Sequence, residues 1–153
     1  MRDNDWLGKQ LELLLKKYFA NAKITNPIEI KFGREAKYRF GSIRLLNPKA
    51  FRHWPLAIGK KRAKSEKPQK SIITITSIFR KPTIPVAVVH YTIAHELCHY
   101  VHGFSSANRR LFKFPHHGGV VNQELKERGA EELVMAFKKW LKEYRKKILA
   151  TNH

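Results

Sequence analysis

The stretch that decides the fold of this 153-residue chain is Ile93-Ala94-His95-Glu96-Leu97-Cys98-His99-Tyr100. Two histidines four positions apart lie on the same face of a helix, so both imidazoles can reach one metal ion. The glutamate between them stands where it can take a proton from a water molecule that the ion activates. The spacing His95-Glu96-x-x-His99 therefore predicts a hydrolytic metal site on a helix.

The residues around this motif predict an amphipathic helix from Pro85 to His102. At about 100° per residue, the apolar side chains gather on one side of this helix; they are Val86, Val89, Ile93, Leu97, Tyr100 and Val101. His95 and His99 fall almost opposite, which argues against a pair of packed core histidines. Thr83 is the predicted cap of the helix, and Gly103 is placed to end it.

A catalytic zinc site usually has three protein ligands, so the motif predicts a third ligand elsewhere. His102 shares the face of the first two histidines, but three ligands on one straight helix cannot readily surround an ion tetrahedrally. The metzincin pattern requires glycine at position 102 and histidine at 105, where this chain has His102 and Ser105, so that class is excluded. Two candidates remain: the pair His116-His117, and a glutamate from the following helices, among Glu124, Glu127, Glu131 and Glu132.

A second element, Pro115-His116-His117-Gly118-Gly119-Val120-Val121, follows the motif after a loop. Together the two elements resemble the SprT-like metalloproteases, which include the Spartan-type proteases of DNA-protein crosslinks. In that family the histidine of a His-Gly-x-x-aromatic element is the third zinc ligand. The resemblance therefore implies one catalytic Zn²⁺ bound by His95, His99 and His117, with Glu96 as the general base.

The resemblance covers about residues 37 to 130 and includes the strand-like run Ser71-Ile72-Ile73-Thr74-Ile75. Val121 stands where the family has an aromatic residue. The C-terminal zinc ribbon of many members is not expected, because Cys98 is the only cysteine. The implied fold is a single zincin-like α+β domain.

Hydrophobic periodicity supports this organisation. Beyond the motif helix, it predicts helices at about 5–20, 119–128 and 130–149, and strands at 28–32, 37–46 with a break near Gly41, and 71–76. The predicted fold is a small mixed sheet of about three strands packed with these helices. We expect one domain over residues 1–153, with a core at about 27–130 and the C-terminal helix at about 130–149, because the length and 42% hydrophobic content suit one core.

The charge balance predicts a polyanionic partner. Thirty-one lysines and arginines against twelve acids give a formal net charge of +19, which favours nucleic acid. One concentration of charge contains Lys60, Lys61, Arg62, Lys64 and Lys67. A second contains Arg109 and Arg110, with Phe104, Phe112 and Phe114 interleaved. Cations that neutralise phosphates and aromatics that stack on unpaired bases favour single-stranded DNA over a duplex.

A membrane partner is not expected, because the basic residues are spread along the chain and no apolar segment is long enough to span a bilayer. The first helix is too charged for a signal peptide, and a single cysteine permits no internal disulfide, so an intracellular location (cytoplasm, nucleoid or nucleus) is predicted. The sequence leaves the oligomeric state open.

The preferred hypothesis is a zinc endopeptidase that cuts DNA-associated or DNA-crosslinked proteins. Its alternatives are a small metallopeptidase not coupled to DNA and a non-catalytic zinc-containing nucleic-acid-binding module. The presence of Glu96 favours an enzyme, since a structural zinc usually has four protein ligands and needs no acid beside them. A donor to the developing oxyanion is also expected, and His102, His116, Tyr91 and Tyr100 are the candidates.

Overall fold

The computed structural model describes residues 1–46, 69–108, 110–112, 115–116 and 119–151. Its elements in chain order are α1 (Asn4–Tyr18), β1 (Ile28–Phe32), β2 (Gly41–Leu46), β3 (Lys70–Ile75), a short 3-10 helix (Ser77–Arg80), α2 (Val86–Val101), α3 (Val120–Glu127) and α4 (Glu131–Thr151). Within these residues, four α-helices and one three-stranded mixed sheet form a small α+β domain, which confirms the predicted fold class.

The sheet has the order β1-β3-β2, with β1 parallel and β2 antiparallel to the central strand. Ile73 of β3 lies opposite Ile30 on one side and Ile43 on the other, and it is fully buried. Within the described residues the outer edge of β2 is unpaired, and Gly41 at the start of β2 lies against the motif helix. An unpaired strand edge can accept an extended chain.

The core lies where α1, α2 and β3 meet. Asp3 caps α1 by accepting a hydrogen bond from the backbone N–H of Trp6 at 2.8 Å. The helix then buries Leu7, Leu11 and Leu14, whose spacing brings them to one face. Burial of each leucine contributes about 1.5–3 kcal/mol to stability. The core thus fixes α2, and with it the motif, against the sheet.

The helix that carries the motif spans Val86–Val101 and differs from the prediction in two respects. The predicted cap at Thr83 is wrong, because the N-cap residue is Pro85 and no side chain caps the helix. The one-sided pattern is also wrong: Val86 is 43% exposed, whereas Glu96 and His99 are each only 6% exposed. The remaining elements cover the face that periodicity assigns to solvent. Gly103, with φ of 86°, ends the helix as predicted.

The second strand begins at Gly41, where the sequence predicts a break, and not at residue 37. A Cβ atom at Gly41 would lie 2.7 Å from Thr92 Cγ2 and 3.3 Å from Glu96 Oε2, both on α2. Glycine therefore lets the strand pass directly against the motif helix.

We expect Gly41→Ala to lower the free energy of unfolding by about 1–3 kcal/mol, because the added methyl group must displace Thr92 or the strand. Gly8→Ala in α1 is the matched control, since no atom lies within 4 Å of a Cβ there. We expect this control to raise the free energy of unfolding by up to about 1 kcal/mol, because alanine has a higher helix propensity than glycine. Urea denaturation of both variants checks the difference, and equal effects of the two substitutions would contradict it.

None of the described helices combines the length and the apolar composition that crossing a bilayer requires.

Candidate metal centre

Three imidazole rings converge beside α2. His95 and His99 come from adjacent turns of the helix, and His116 comes from the connection between α2 and α3. One ring nitrogen from each residue lies within 4.8 Å of the other two, and His95 Nε2 lies 3.0 Å from His116 Nε2. This histidine cluster can hold a metal ion.

The ligand that the resemblance implies, His117, lies outside the described residues. Its neighbour His116 is, from the sequence, both a candidate third ligand and a candidate oxyanion donor. In the structure, His116 is the residue that joins His95 and His99. The centroid of the His116 ring lies 4.8 Å from that of His99 and 5.1 Å from that of His95. Within the described part of the chain, the third imidazole is therefore that of His116.

The glutamate alternatives do not reach the histidine cluster. Glu124 instead accepts hydrogen bonds from His102 Nε2 at 2.5 Å and from Arg128 Nε at 2.9 Å. Burial raises the pKa of Glu124, but these two partners outweigh burial, and the pKa lies below its ordinary value. The other three glutamates, Glu127, Glu131 and Glu132, are exposed and are not part of the cluster. His102 is fully buried and pairs with Glu124, so it is not a ligand either.

The electrostatics of the histidine cluster suit metal binding. Burial, followed by the charges of the neighbouring histidines, lowers the pKa of His95 to about 3 and that of His99 to about 4. Both imidazoles are therefore neutral at physiological pH, which is the form that binds a metal ion. Their Nδ1 atoms are buried and have no hydrogen-bond partner among the described residues. Three imidazole nitrogens within 4.8 Å of one another fit zinc and related divalent ions.

Glu96 lies beside this cluster and is buried. Burial raises its pKa to about 7, and the positive charge of Arg39 partly opposes this shift. A carboxyl group with a pKa near neutrality can both take up and release a proton at physiological pH. Glu96 therefore has the protonation behaviour of a general acid and base.

The raised pKa of Glu96 predicts a pH dependence of stability for the metal-free protein. Between pH 4.5, the ordinary value, and about 7, the folded protein retains a proton that the unfolded chain has lost. The contribution of Glu96 to the free energy of unfolding should therefore fall as pH rises through this window, by up to about 3 kcal/mol, whereas the lowered pKa values of His95 and His99 act in the opposite direction over the same range. The difference in free energy of unfolding between the wild type and Glu96→Gln isolates the Glu96 contribution. Denaturation of both proteins in chelator across this range provides the test. A stability difference that does not change with pH would contradict the prediction.

The histidine cluster and Glu96 line a cavity of about 620 Å³. Its apolar wall consists of side chains from β2, α2, α4 and the residue before β2: Phe40, Ile43, Tyr91, Phe137, Leu141 and Tyr144. Tyr91 stacks on Phe137 with ring centroids 4.2 Å apart, and its hydroxyl donates to Asn122 Oδ1 at 2.8 Å. The cavity, hereafter the cleft, is wide enough for the side chains of a peptide.

The structure narrows the choice of oxyanion donor. His102 is held by Glu124, and the hydroxyl of Tyr100 donates to the backbone carbonyl of Asn26 at 2.8 Å. Both residues therefore have structural roles. Tyr91 and His116 line the cleft, and His116 belongs to the histidine cluster. His90 pairs with Gln10 at 2.7 Å and is a packed, hydrogen-bonded histidine.

Most of the predicted nucleic-acid contacts cannot be placed. Lys60, Lys61, Arg62, Lys64, Lys67 and Arg109 lie outside the described residues. Arg110 is exposed, lines the cleft, and lies over the ring of Phe104 at 4.7 Å. Phe104 itself is buried, and the ring of Phe112 packs edge-on against His102. The hypothesis that Phe104 stacks on bases is therefore wrong, whereas Phe112 is half-buried and its role stays a prediction.

Sequence reasoning did not anticipate the cations that line the cleft. Lys37, Arg39 and Arg145 stand at its rim together with Arg110. The sequence run Lys37-Tyr38-Arg39 could have indicated Lys37 and Arg39 as a pair of neighbouring cations. Only the fold brings Arg145 to the same cleft.

Comparison with known proteins adds no constraint: no family model matches the chain, and neither a curated protein nor a solved structure matches it.

Proposed function

We propose that this protein is a metal-dependent endopeptidase of the SprT-like type, with zinc as its ion and Glu96 as its general base. The observation that carries the proposal is the convergence of three imidazoles and one buried glutamate at the same cleft. Chance proximity of surface histidines would not bury a carboxyl group beside them. A purely structural ion has no use for such a group.

A divalent ion bound to the histidine cluster supplies a Lewis acid, which makes water more acidic and polarises a carbonyl group. Glu96 then accepts the proton of the attacking water molecule and delivers it to the leaving amine. Its raised pKa suits both steps, because the residue must be charged in the first and protonated in the second. Tyr91 lines the cleft and would donate a hydrogen bond to the oxyanion once its hydroxyl leaves Asn122 Oδ1, to which it donates at 2.8 Å.

The proposed site for the substrate backbone is the outer edge of β2, which is unpaired within the described residues. Gly41, at the start of this strand, lies against Glu96, so a chain paired with β2 passes the general base. Backbone hydrogen bonds along a strand make binding tolerant of side-chain identity. Side-chain selection then depends on the walls of the cleft.

We further propose that the enzyme acts on proteins associated with DNA. The net charge of +19 supports this part of the proposal, as does the outer face of α4. Five lysines are exposed on that helix: Lys138, Lys139, Lys142, Lys146 and Lys147. Glu143 lies 3.6 Å from Lys146 and offsets part of this charge. The remaining cations are free to neutralise phosphates, and a bound nucleic acid would hold attached proteins near the cleft.

The experiment that tests the proposal is cleavage of a DNA-binding protein that carries acidic as well as basic segments by the zinc-loaded enzyme, with and without single-stranded DNA. Cleavage that needs DNA and stops on chelation would support both parts of the proposal. Cleavage that ignores DNA would leave a peptidase not coupled to nucleic acid. If zinc is bound and no substrate is cut, the non-catalytic binding module becomes the better hypothesis.

A further inference from the structure

We infer that the cleft selects acidic peptide segments and that Arg39 and Arg145 are its principal specificity residues. This inference rests on the proposed peptidase function and names the substrate class of the same site. It follows from the balance of charge inside the cleft, which differs from the diffuse positive charge of the whole chain.

Four cationic side chains line the cleft, namely Lys37, Arg39, Arg110 and Arg145, and all four are exposed. Among the described residues, Glu96 is the only carboxylate in the lining. None of the four cations forms an ion pair within the described part of the chain. Their charge is therefore available to a ligand.

The nearby carboxylate of Glu35 does not offset the excess positive charge of the cleft. Its charge, after burial and the charge of Tyr38, helps to raise the pKa of Tyr144. Glu35 is nevertheless exposed, does not line the cleft and pairs with none of the four cations. Solvent screens a carboxylate in that position.

A hydrogen bond holds the two sides of the rim together. The hydroxyl of Tyr144 donates to the backbone carbonyl of Lys37 at 2.9 Å. Tyr144 precedes Arg145 on α4, and Lys37 lies two residues before Arg39. This contact joins α4, which carries Arg145, to the segment before β2, which carries Arg39. Preorganised charges select a ligand more strongly than charges on independent segments.

The shape of the cleft favours a peptide over a nucleic acid. The four cations surround a recess that contains the histidine cluster and has an apolar wall. A nucleic-acid backbone would be matched by cations spaced along an open surface, as on the outer face of α4. A recess with both apolar and cationic walls instead matches a large apolar side chain with acidic neighbours.

The test uses three labelled peptides that share one central leucine and differ only in its neighbours, which are glutamate, glutamine or lysine. Binding to the zinc-loaded Glu96→Gln protein is measured by fluorescence anisotropy, since this variant does not turn over its ligand. We expect the glutamate peptide to bind about tenfold more tightly than the glutamine peptide at low salt, and the lysine peptide to bind least. This preference should weaken as salt is added.

In the variant Arg39→Gln/Arg145→Gln, the ratio of affinities for the glutamate and glutamine peptides should fall to near unity. Lys9→Gln/Lys16→Gln is the matched control, because it removes the same charge from exposed positions of α1 that do not line the cleft. Equal binding of the three peptides, or a preference that survives loss of both arginines, would overturn the inference. The inference would also be overturned if an oligothymidylate displaced the acidic peptide and its binding weakened more than that of the peptide on loss of Arg39 and Arg145.

Cleavage by the zinc-loaded wild-type enzyme separates this inference from the proposed function. If the acidic peptide binds with the expected preference and is not cut, the inference stands and the peptidase proposal fails. If all three peptides are cut with equal kcat/KM, the peptidase stands and the selectivity is refuted. The kcat/KM values also replace the binding assay if the Glu96→Gln protein does not fold.

Discussion

Glu96→Gln is expected to lower kcat for peptide hydrolysis by about 10²–10⁴-fold, the usual contribution of a positioned general acid and base. Glutamine has nearly the same shape but cannot accept the proton of the attacking water molecule. The metal content should remain at the wild-type value, because Glu96 is not part of the histidine cluster. Cleavage of a fluorogenic peptide, together with metal analysis of the same sample, provides the measurement.

Loss of folding cannot account for this expected result. Because burial disfavours the charged form of Glu96, glutamine should make the metal-free protein more stable at neutral pH. Glu12→Gln is the matched control, since Glu12 is exposed on α1 and should retain full activity after the same chemical change. If Glu96→Gln retained activity within threefold of the wild type, another residue would have to act as the base, and the proposed mechanism would be wrong.

The second large effect concerns the ligands of the ion. Alanine at His99 or His116 should weaken zinc binding by more than about 100-fold, because even residues that only support a ligand contribute about 10–100-fold. Competition with a chromophoric chelator measures the affinity. His90→Ala is the control: His90 lies on the same helix, but it pairs with Gln10 and is not part of the cluster.

The same measurement decides between the two neighbouring histidines. We expect His116→Ala to match His99→Ala, because these two rings share the cluster with His95. His117→Ala, the substitution that the family resemblance singles out, is measured beside it. If only His117→Ala removes the ion, the ligand implied by the resemblance is correct and His116 is a cleft residue. If a glutamate substitution such as Glu124→Gln removes it and both histidine variants retain it, the gluzincin alternative applies.

Much of the local structure could be predicted from residue patterns. The first strand has its predicted bounds, Ile28–Phe32, and the other helices and strands differ mainly at their ends. Periodicity works here because it reports which side of one element is apolar, and a single helix or strand is short enough for local sequence to decide. The pairing of His95 with His99 belongs to this category, since one helical turn brings the two residues together.

Contacts with a neighbouring element could not be predicted in this way. Glycine at position 41 marks the predicted break where β2 begins, but the close approach of α2 at that point is a tertiary contact. His99 is buried because other elements cover the helix face that periodicity assigns to solvent. Phe104, which composition places beside bases, is instead buried in the domain.

The sequence by itself determined the fold class, the motif helix and two of the imidazoles, because these follow from spacing within one element. Only the tertiary structure decided that His116 reaches those imidazoles, that Glu124 pairs with His102, and that Arg39 and Arg145 share one rim. Each of these contacts joins residues far apart in the chain. Such contacts depend on how the elements pack, and packing is a property of the whole core, which no short stretch of sequence specifies.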